Sequence, residues 1–182
     1  MSNKLKIACS FILFFNLSFA QNINWKLRES ESFISYQAKH LLHPWKGVNK
    51  NVRGIVSKVD NEKKINELAI LILVKDFDSN NTGRDAHALE ALEVLSYPEV
   101  RFYSNSIELN VDSVNIHGTF DFHGVTKNQT IIAEYVEDIE KWKIKGNFTL
   151  KLTDYNMELP SFMMIKMEDF LNFEFELIFD KY

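Results

Sequence analysis

Apolar and polar residues alternate most clearly from Trp142 to Leu152. Trp142, Ile144, Phe148, Leu150 and Leu152 are apolar and Gly146 keeps the phase, while Lys141, Lys143, Lys145, Asn147, Thr149 and Lys151 fill the positions between. A period of two marks a strand with one buried face. The C-terminal segment repeats it in the opposite phase, with Phe173, Phe175, Leu177 and Phe179 set against Glu174, Glu176 and Asp180. Val114, Ile116, Phe120 and Phe122 do the same with polar residues between them. Shorter patterns predict a first strand at Ile34, Tyr36 and Ala38, a second at Ile55 and Val59, a fourth over Arg101 to Leu109, and a sixth at Ile131, Ala133 and Tyr135.

The third strand departs from this rhythm. Leu68, Ala69, Ile70, Leu71, Ile72, Leu73 and Val74 are apolar without interruption, as expected of a strand covered on both faces. A cover follows directly. From Asp85 to Ser96, Ala88, Ala91, Leu92 and Leu95 fall on one helical face, and Pro98 ends the pattern. One short amphipathic helix is therefore expected between strands three and four, packed beside the third.

About eight strands and one helix define an all-β chain. Segments near ten residues, joined by turns such as His123-Gly124-Val125-Thr126, suggest an antiparallel up-and-down β-barrel, which closure protects from edge-to-edge pairing. A two-sheet sandwich is the runner-up, because strand patterns alone do not separate the two. An eight-stranded barrel either fills with side chains or holds one small ligand. Fifteen phenylalanines in 182 residues suit both outcomes.

The N-terminus is set apart from this pattern. Lys4 and Lys6 precede an apolar run from Ile7 to Leu17, and Ser18-Phe19-Ala20 places small residues where a signal peptidase reads. Residues 1–20 are expected to be a cleavable signal peptide, with residues 21–182 forming one domain. The run is too short to span a bilayer, which takes roughly 20 apolar residues. Cys9 is the only cysteine and lies inside this segment, so the body has no disulfide, thiolate metal site or cysteine nucleophile. The chain's formal charge of −4 argues against nucleic-acid partners, which need a basic surface. It also disfavours electrostatic attraction to anionic membranes.

Three motifs sharpen the picture. Arg84-Asp85-Ala86-His87 leads into the helix, Tyr97-Pro98-Glu99-Val100-Arg101-Phe102 opens the next strand, and Gly118-Thr119-Phe120-Asp121-Phe122-His123-Gly124-Val125-Thr126-Lys127 forms a hairpin. In order and rough spacing they resemble the YceI-like family pattern of RDxH, YPxxxF and GxxxxxGVTK, over nearly the whole chain from Ile34 to Phe179. Between His87 and Tyr97 the chain is two residues shorter than that pattern and lacks an aromatic pair common there. The stretch from Lys39 to Trp45 is also more elaborate than the family's histidine-containing turn. The resemblance implies a lipocalin-like, eight-stranded barrel, periplasmic or secreted, that binds a polyisoprenoid or other long-chain lipid and catalyses no reaction.

On that reading Tyr36, Phe120, Phe122, Trp142, Phe148, Phe173 and Phe175 would line the interior, with Arg84 and His87 near a headgroup and Trp45 at the rim shielding the entrance. The bland roles are a helix cap for Asp85, an ion pair for Arg84 and a core position for Trp45. His40 and His43, with His117 and His123, form no recognised metal spacing, and the odd-numbered His117 and His123 are expected to face solvent. No cofactor is implied. Two alternatives remain: a hydrolase-like or metal-dependent enzyme using His40, His43 or His87 as base, which needs two of them and an acid to converge, or a filled barrel acting through its loops. No Gly-x-Ser-x-Gly elbow or phosphate loop occurs. A homodimer is left open, as is the identity of the lipid.

Overall fold

A computed structural model describes residues 22–41, 43–59, 65–162 and 164–181; the expected signal peptide lies outside them. The alternating segments pair with their neighbours in chain order. The strands are β1 (Asn22–Leu27), β2 (Phe33–His40), β3 (His43–Asn49), β4 (Arg53–Val59), β5 (Ile65–Leu73), β6 (Glu99–Leu109), β7 (Ser113–Phe122), β8 (Val125–Glu137), β9 (Lys141–Lys151) and β12 (Phe170–Lys181). A small hairpin, β10 (Ser161–Phe162) with β11 (Ile165–Lys166), lies in the connection before β12.

The sheet runs β1-β4-β5-β6-β7-β8-β9-β12, every pair antiparallel, and closes because β12 also pairs with β1. The result is an eight-stranded up-and-down barrel. Two strands are bent in the middle. β12 pairs with β2 over Asn172–Glu176 and with β1 over Phe179–Lys181, so β1 and β2 are two halves of one strand, broken at the 3-10 turn Glu29–Glu31. Arg28 pins that break by donating two hydrogen bonds of 2.6 Å to the Asp180 carboxylate and one of 2.7 Å to Glu31. β3 and β4 are likewise one strand, pairing with β2 and β1 in turn. Asn49 sits at their junction, fully buried, with its side-chain amide donating to the Leu73 carbonyl at 3.0 Å.

Antiparallel order sends alternate connections to opposite ends. One end carries the β2–β3 turn, the long β5–β6 and β9–β12 connections and the His123-Gly124 turn. The other carries the tight β6–β7 and β8–β9 turns with the start of β1 and the end of β12.

Several expectations change. The first strand begins earlier than the pattern suggested, because Trp25 and Leu27 of β1 are buried. In β4 the phase is reversed: Val56 is 2% exposed and Ile55 41%, since the inward position before Val56 is taken by Gly54, which leaves no apolar marker in the sequence. In β5 the apolar run alternates after all, with Leu68, Ile70 and Ile72 buried inward and Ala69, Leu71 and Leu73 half-buried outside.

The helix α1 (Thr82–Ala91) does not cover the outer face of β5; it lines the interior at the open end. It stops at Ala91 because Glu93 adopts a left-handed φ of 46°, a common way to end a helix, and this leaves Leu95 in solvent. Asn81 provides the N-cap, accepting from the Arg84 N–H at 2.9 Å. Asp85, expected in that role, instead accepts a hydrogen bond from the Ser79 N–H at 3.2 Å.

Candidate ligand-binding site

The inward residues form layers along the barrel axis. At the closed end Phe179, Val114 and Trp142 are almost wholly buried, and the Trp142 and Phe179 rings lie 5.4 Å apart. Above them opens a cavity of about 630 Å³ that reaches the end carrying α1. Its floor is aliphatic, made by Leu68, Ile116, Ile131, Ile144 and Leu177. Its middle is aromatic. Phe148 and Phe173 stack nearly parallel, 7° apart with centroids at 4.9 Å, and Phe120 meets Phe148 edge-on at 5.8 Å. Ala88, Leu89 and Ala91 of α1 and Leu92 at its C-terminal cap close part of the top. The volume is typical of small-molecule pockets.

Among the described residues, the polar groups of the cavity gather at its mouth. Tyr36 lies flat against β3, where a Cβ on Gly47 would come within 2.4 Å of its ring; the close approach requires glycine there. Burial pushes the Tyr36 phenol above its ordinary pKa, partly offset by a hydrogen bond with Trp45, while Asp85 raises it and Arg84 lowers it through their charges. Arg84 stands 5.9 Å over the Trp45 ring, within cation–π range. Its Nε donates to the Ser79 Oγ and its Nη2 to the Ser79 carbonyl, both at 2.9 Å. Ser79 therefore holds both Arg84 and Asp85, and the mouth is a braced cluster rather than a set of loose side chains.

Tyr36, Trp45, Arg84, His87, Phe120, Phe122, Phe148, Phe173 and Phe175 all line this cavity. Trp142 does not; it lies one layer lower, in the filled end. Arg84 bonds to Ser79 where an acid partner was expected. Residues that sequence reasoning left out of the site include Leu68, Ile70 and Ile72 of β5, Phe102 of the YPxxxF motif and Leu92 just after α1. The first three were visible as an apolar run, but an uninterrupted run does not tell which side faces inward.

The histidines fall into two groups. His40, His43 and His87 border the mouth, and the His40 Nε2–H donates to the Ile165 carbonyl at 2.8 Å. His117 is half-buried, with Nδ1 3.0 Å from the Thr130 hydroxyl. His123, expected in solvent, is 8% exposed. It occupies the β7–β8 turn at φ 51°, its Nδ1–H donates to the Tyr155 carbonyl at 3.1 Å, and its ring packs 4.4 Å from Tyr97. A turn breaks the period of two, so strand phase carried no information there. Among the described residues no three of His, Cys, Asp or Glu gather as a metal site, and no helix is long and apolar enough to cross a membrane.

A closed barrel, hollow and hydrocarbon-lined at one end with a braced polar mouth, defines a class of small-molecule binding fold. The chain belongs to the YceI-like domain family, whose model matches residues 25–179. It is 28% identical to a UPF0312 protein of Pseudomonas aeruginosa (strain LESB58) over 137 residues, covering 70% of this chain and 72% of that one. It is 26% identical to Protein YceI of Escherichia coli O6:H1 over 136 residues, covering 70% and 71%. Among solved structures it is similar to BcnA of Burkholderia cenocepacia, with a TM-score of 0.74 at 18% identity over 84% of this chain and 98% of that one. It is also similar to a polyisoprenoid binding domain from Saccharophagus degradans, with a TM-score of 0.69 at 14% identity over 87% and 98%. At these identities the structural likenesses establish the fold alone.

Proposed function

We propose that this protein is an exported carrier, scavenger or sensor that sequesters one long apolar chain, polyisoprenoid or fatty-acyl, inside the barrel. The observation that carries the reading is the cavity: aliphatic floor, aromatic walls and polar groups gathered at the mouth. Such a gradient fits an amphiphile with its tail inward. Tyr36, Trp45, Arg84 and His87 would meet the headgroup, and Phe120, Phe122, Phe148, Phe173 and Phe175 the tail. Each methylene removed from water contributes about 0.8 kcal/mol, so the tail would supply most of the affinity. The similar domain from Saccharophagus degradans, a polyisoprenoid binder, supports the isoprenoid branch.

At about 30 Å³ for each water-sized group, a cavity of about 630 Å³ holds roughly 20 non-hydrogen atoms. A longer chain would leave its remainder outside the mouth. Binding rather than catalysis fits the polar groups present, because Asp85, the carboxylate at the mouth, is held by Ser79 instead of orienting a histidine. The signal peptide expected over residues 1–20 and the family resemblance support a periplasmic or secreted location.

Mass spectrometry of an organic extract tests the reading, using protein purified after export and without detergent. A long-chain lipid in stoichiometric amount is the expected result. An empty extract, together with failure to take up added prenyl or acyl chains, would overturn it.

A further inference from the structure

Turn tips are ordinarily Gly, Asn, Asp, Pro or Ser, because these residues accept left-handed dihedrals and satisfy local hydrogen bonds. At the open end His123 breaks that rule but is buried and hydrogen-bonded to the Tyr155 carbonyl, whereas two other tips break it with exposed apolar side chains. Leu41 sits in the β2–β3 turn at φ 54° and is 50% exposed; Met164 sits between β10 and β11 at φ 65° and is 99% exposed, with Ile165 beside it. Each tip combines an unfavourable backbone with an apolar side chain in water, so neither conformation nor solvation accounts for it.

The two tips belong to one surface. The His40 Nε2–H donates to the Ile165 carbonyl at 2.8 Å, and the Glu168 N–H donates to the Lys39 carbonyl at 2.9 Å. The same two segments border the cavity through His40, His43, Ser161 and Met167, so the tips continue outward from its mouth. Their flanks carry Lys39, His40 and Lys166, with Glu168 paired to Lys39 at 2.6 Å. The closed end differs. Its turn tips carry exposed Val111 beside Asp112 and Ile139 between Asp138 and Glu140, with Val136 exposed on the strand before the second, and neither tip borders the cavity.

We infer that the paired hairpins are a membrane-docking surface, with Leu41, Met164 and Ile165 entering the interfacial layer of a lipid bilayer so that a ligand passes between bilayer and cavity without crossing water. The inference rests on the lipid-binding reading above. A bilayer is the occupant because the surface is continuous with the mouth through which the apolar chain must move, and every methylene crossing water carries a cost that contact removes. Since the chain is acidic overall, attachment is hydrophobic and shallow rather than electrostatic.

The test compares the purified protein with the variant Leu41→Asn/Met164→Asn. Asparagine tolerates left-handed dihedrals, so the variant keeps the fold and the charge. Three quantities are read: flotation with phosphatidylcholine vesicles, transfer of a pyrene-labelled fatty acid out of those vesicles, and uptake of the same probe added from ethanol without vesicles. Flotation that persists in high salt is expected. Vesicle binding and transfer should fall about tenfold for each tip, with uptake from ethanol unchanged. Equal transfer by both proteins, or flotation abolished by salt, overturns docking and leaves the cavity reading intact. Loss of uptake from ethanol in the variant also overturns it, because the tips would then belong to the ligand site. Failure of the unaltered protein to take up the probe by either route removes the lipid-binding reading itself.

Discussion

The two ends of the barrel are built from the same strands with the same alternation, yet one is solid and the other hollow. At the solid end Trp142, Val114 and Phe179 are almost wholly buried, with the Trp142 and Phe179 rings 5.4 Å apart. At the hollow end Phe148 and Phe173 lie against each other along the wall, and Tyr36 lies against Gly47. Aromatic content therefore does not decide whether a barrel is filled. What differs is ring geometry: the Trp142 and Phe179 rings are tilted by 37°, while those of Phe148 and Phe173 lie within 7° of parallel. The connections follow the same division, with tight turns at the solid end and α1 with two long loops at the hollow one.

Truncations break the comparison most sharply. Phe179→Ala should cost about 3–5 kcal/mol, the usual penalty for a large core cavity. Phe173→Ala, beside space that already exists and only half-buried, should cost about 1–2 kcal/mol. Urea unfolding midpoints measure both, and equal penalties would mean that the two ends are packed alike. The order should reverse for retention of a bound acyl or prenyl chain, which Phe173→Ala weakens more.

A substitution at the top sharpens it further. Ala88 lines the mouth from α1, so Ala88→Trp should slow ligand uptake several-fold while shifting stability by no more than about 0.5 kcal/mol. Stopped-flow uptake of a fluorescent fatty acid measures the first effect and thermal melting the second. Unchanged uptake would show that ligands enter by another route.

Each end carries buried polar atoms without a hydrogen-bond partner, the His123 Nε2 at the hollow end and two indole nitrogens at the solid one. The indole N–H groups of Trp25 and Trp142 are buried without hydrogen-bond partners, and an unsatisfied buried donor costs about 1–3 kcal/mol. Trp142→Phe removes the orphan donor along with some ring area, so the two effects should nearly cancel, leaving less than about 1 kcal/mol of change in urea melts. A large loss would show that the indole ring's shape matters more than its N–H.

The smallest expected effect concerns the loop over the hollow end. Burial pushes the Asp169 carboxyl up, but hydrogen bonds from the Thr153 hydroxyl and N–H and the Leu152 N–H, with the charge of Lys151, outweigh it and leave its pKa below the ordinary value. A carboxylate with a lowered folded-state pKa stabilises fully above its unfolded pKa, about 3.9, and loses that contribution as the pH falls below it. Asp169 is partly exposed, so screening keeps the effect below about 1 kcal/mol. Melting temperature should fall on acidification through that range, and Asp169→Asn should show a smaller fall. Parallel pH curves would remove Asp169 as the cause.

Local periodicity made much of this legible. The alternation in β7, β9 and β12 follows from side chains two residues apart sharing a face, and it identified the inward Phe120, Phe122, Phe148, Phe173 and Phe175 from the chain alone. Wherever the local period broke, sequence reasoning lost the thread. Gly54 hid the phase of β4, the His123 turn reset the count, and the register shift between Ser104 and Ser106 in β6 turned the inward face from even to odd positions.

The sequence by itself determined that strands alternate, that they number about eight, that a helix interrupts them once, and that the chain resembles the YceI-like family. Only the tertiary structure decided where the filling stops. Trp142 and Phe148 share one strand and one face, six residues apart, and nothing local separates their roles. Trp142 faces Phe179 across the β9–β12 register and lies in the plug, while Phe148 faces Phe173 and borders the cavity. That difference depends on the registers by which distant strands close the barrel, and pairings between residues far apart in the chain leave no periodic trace within either strand.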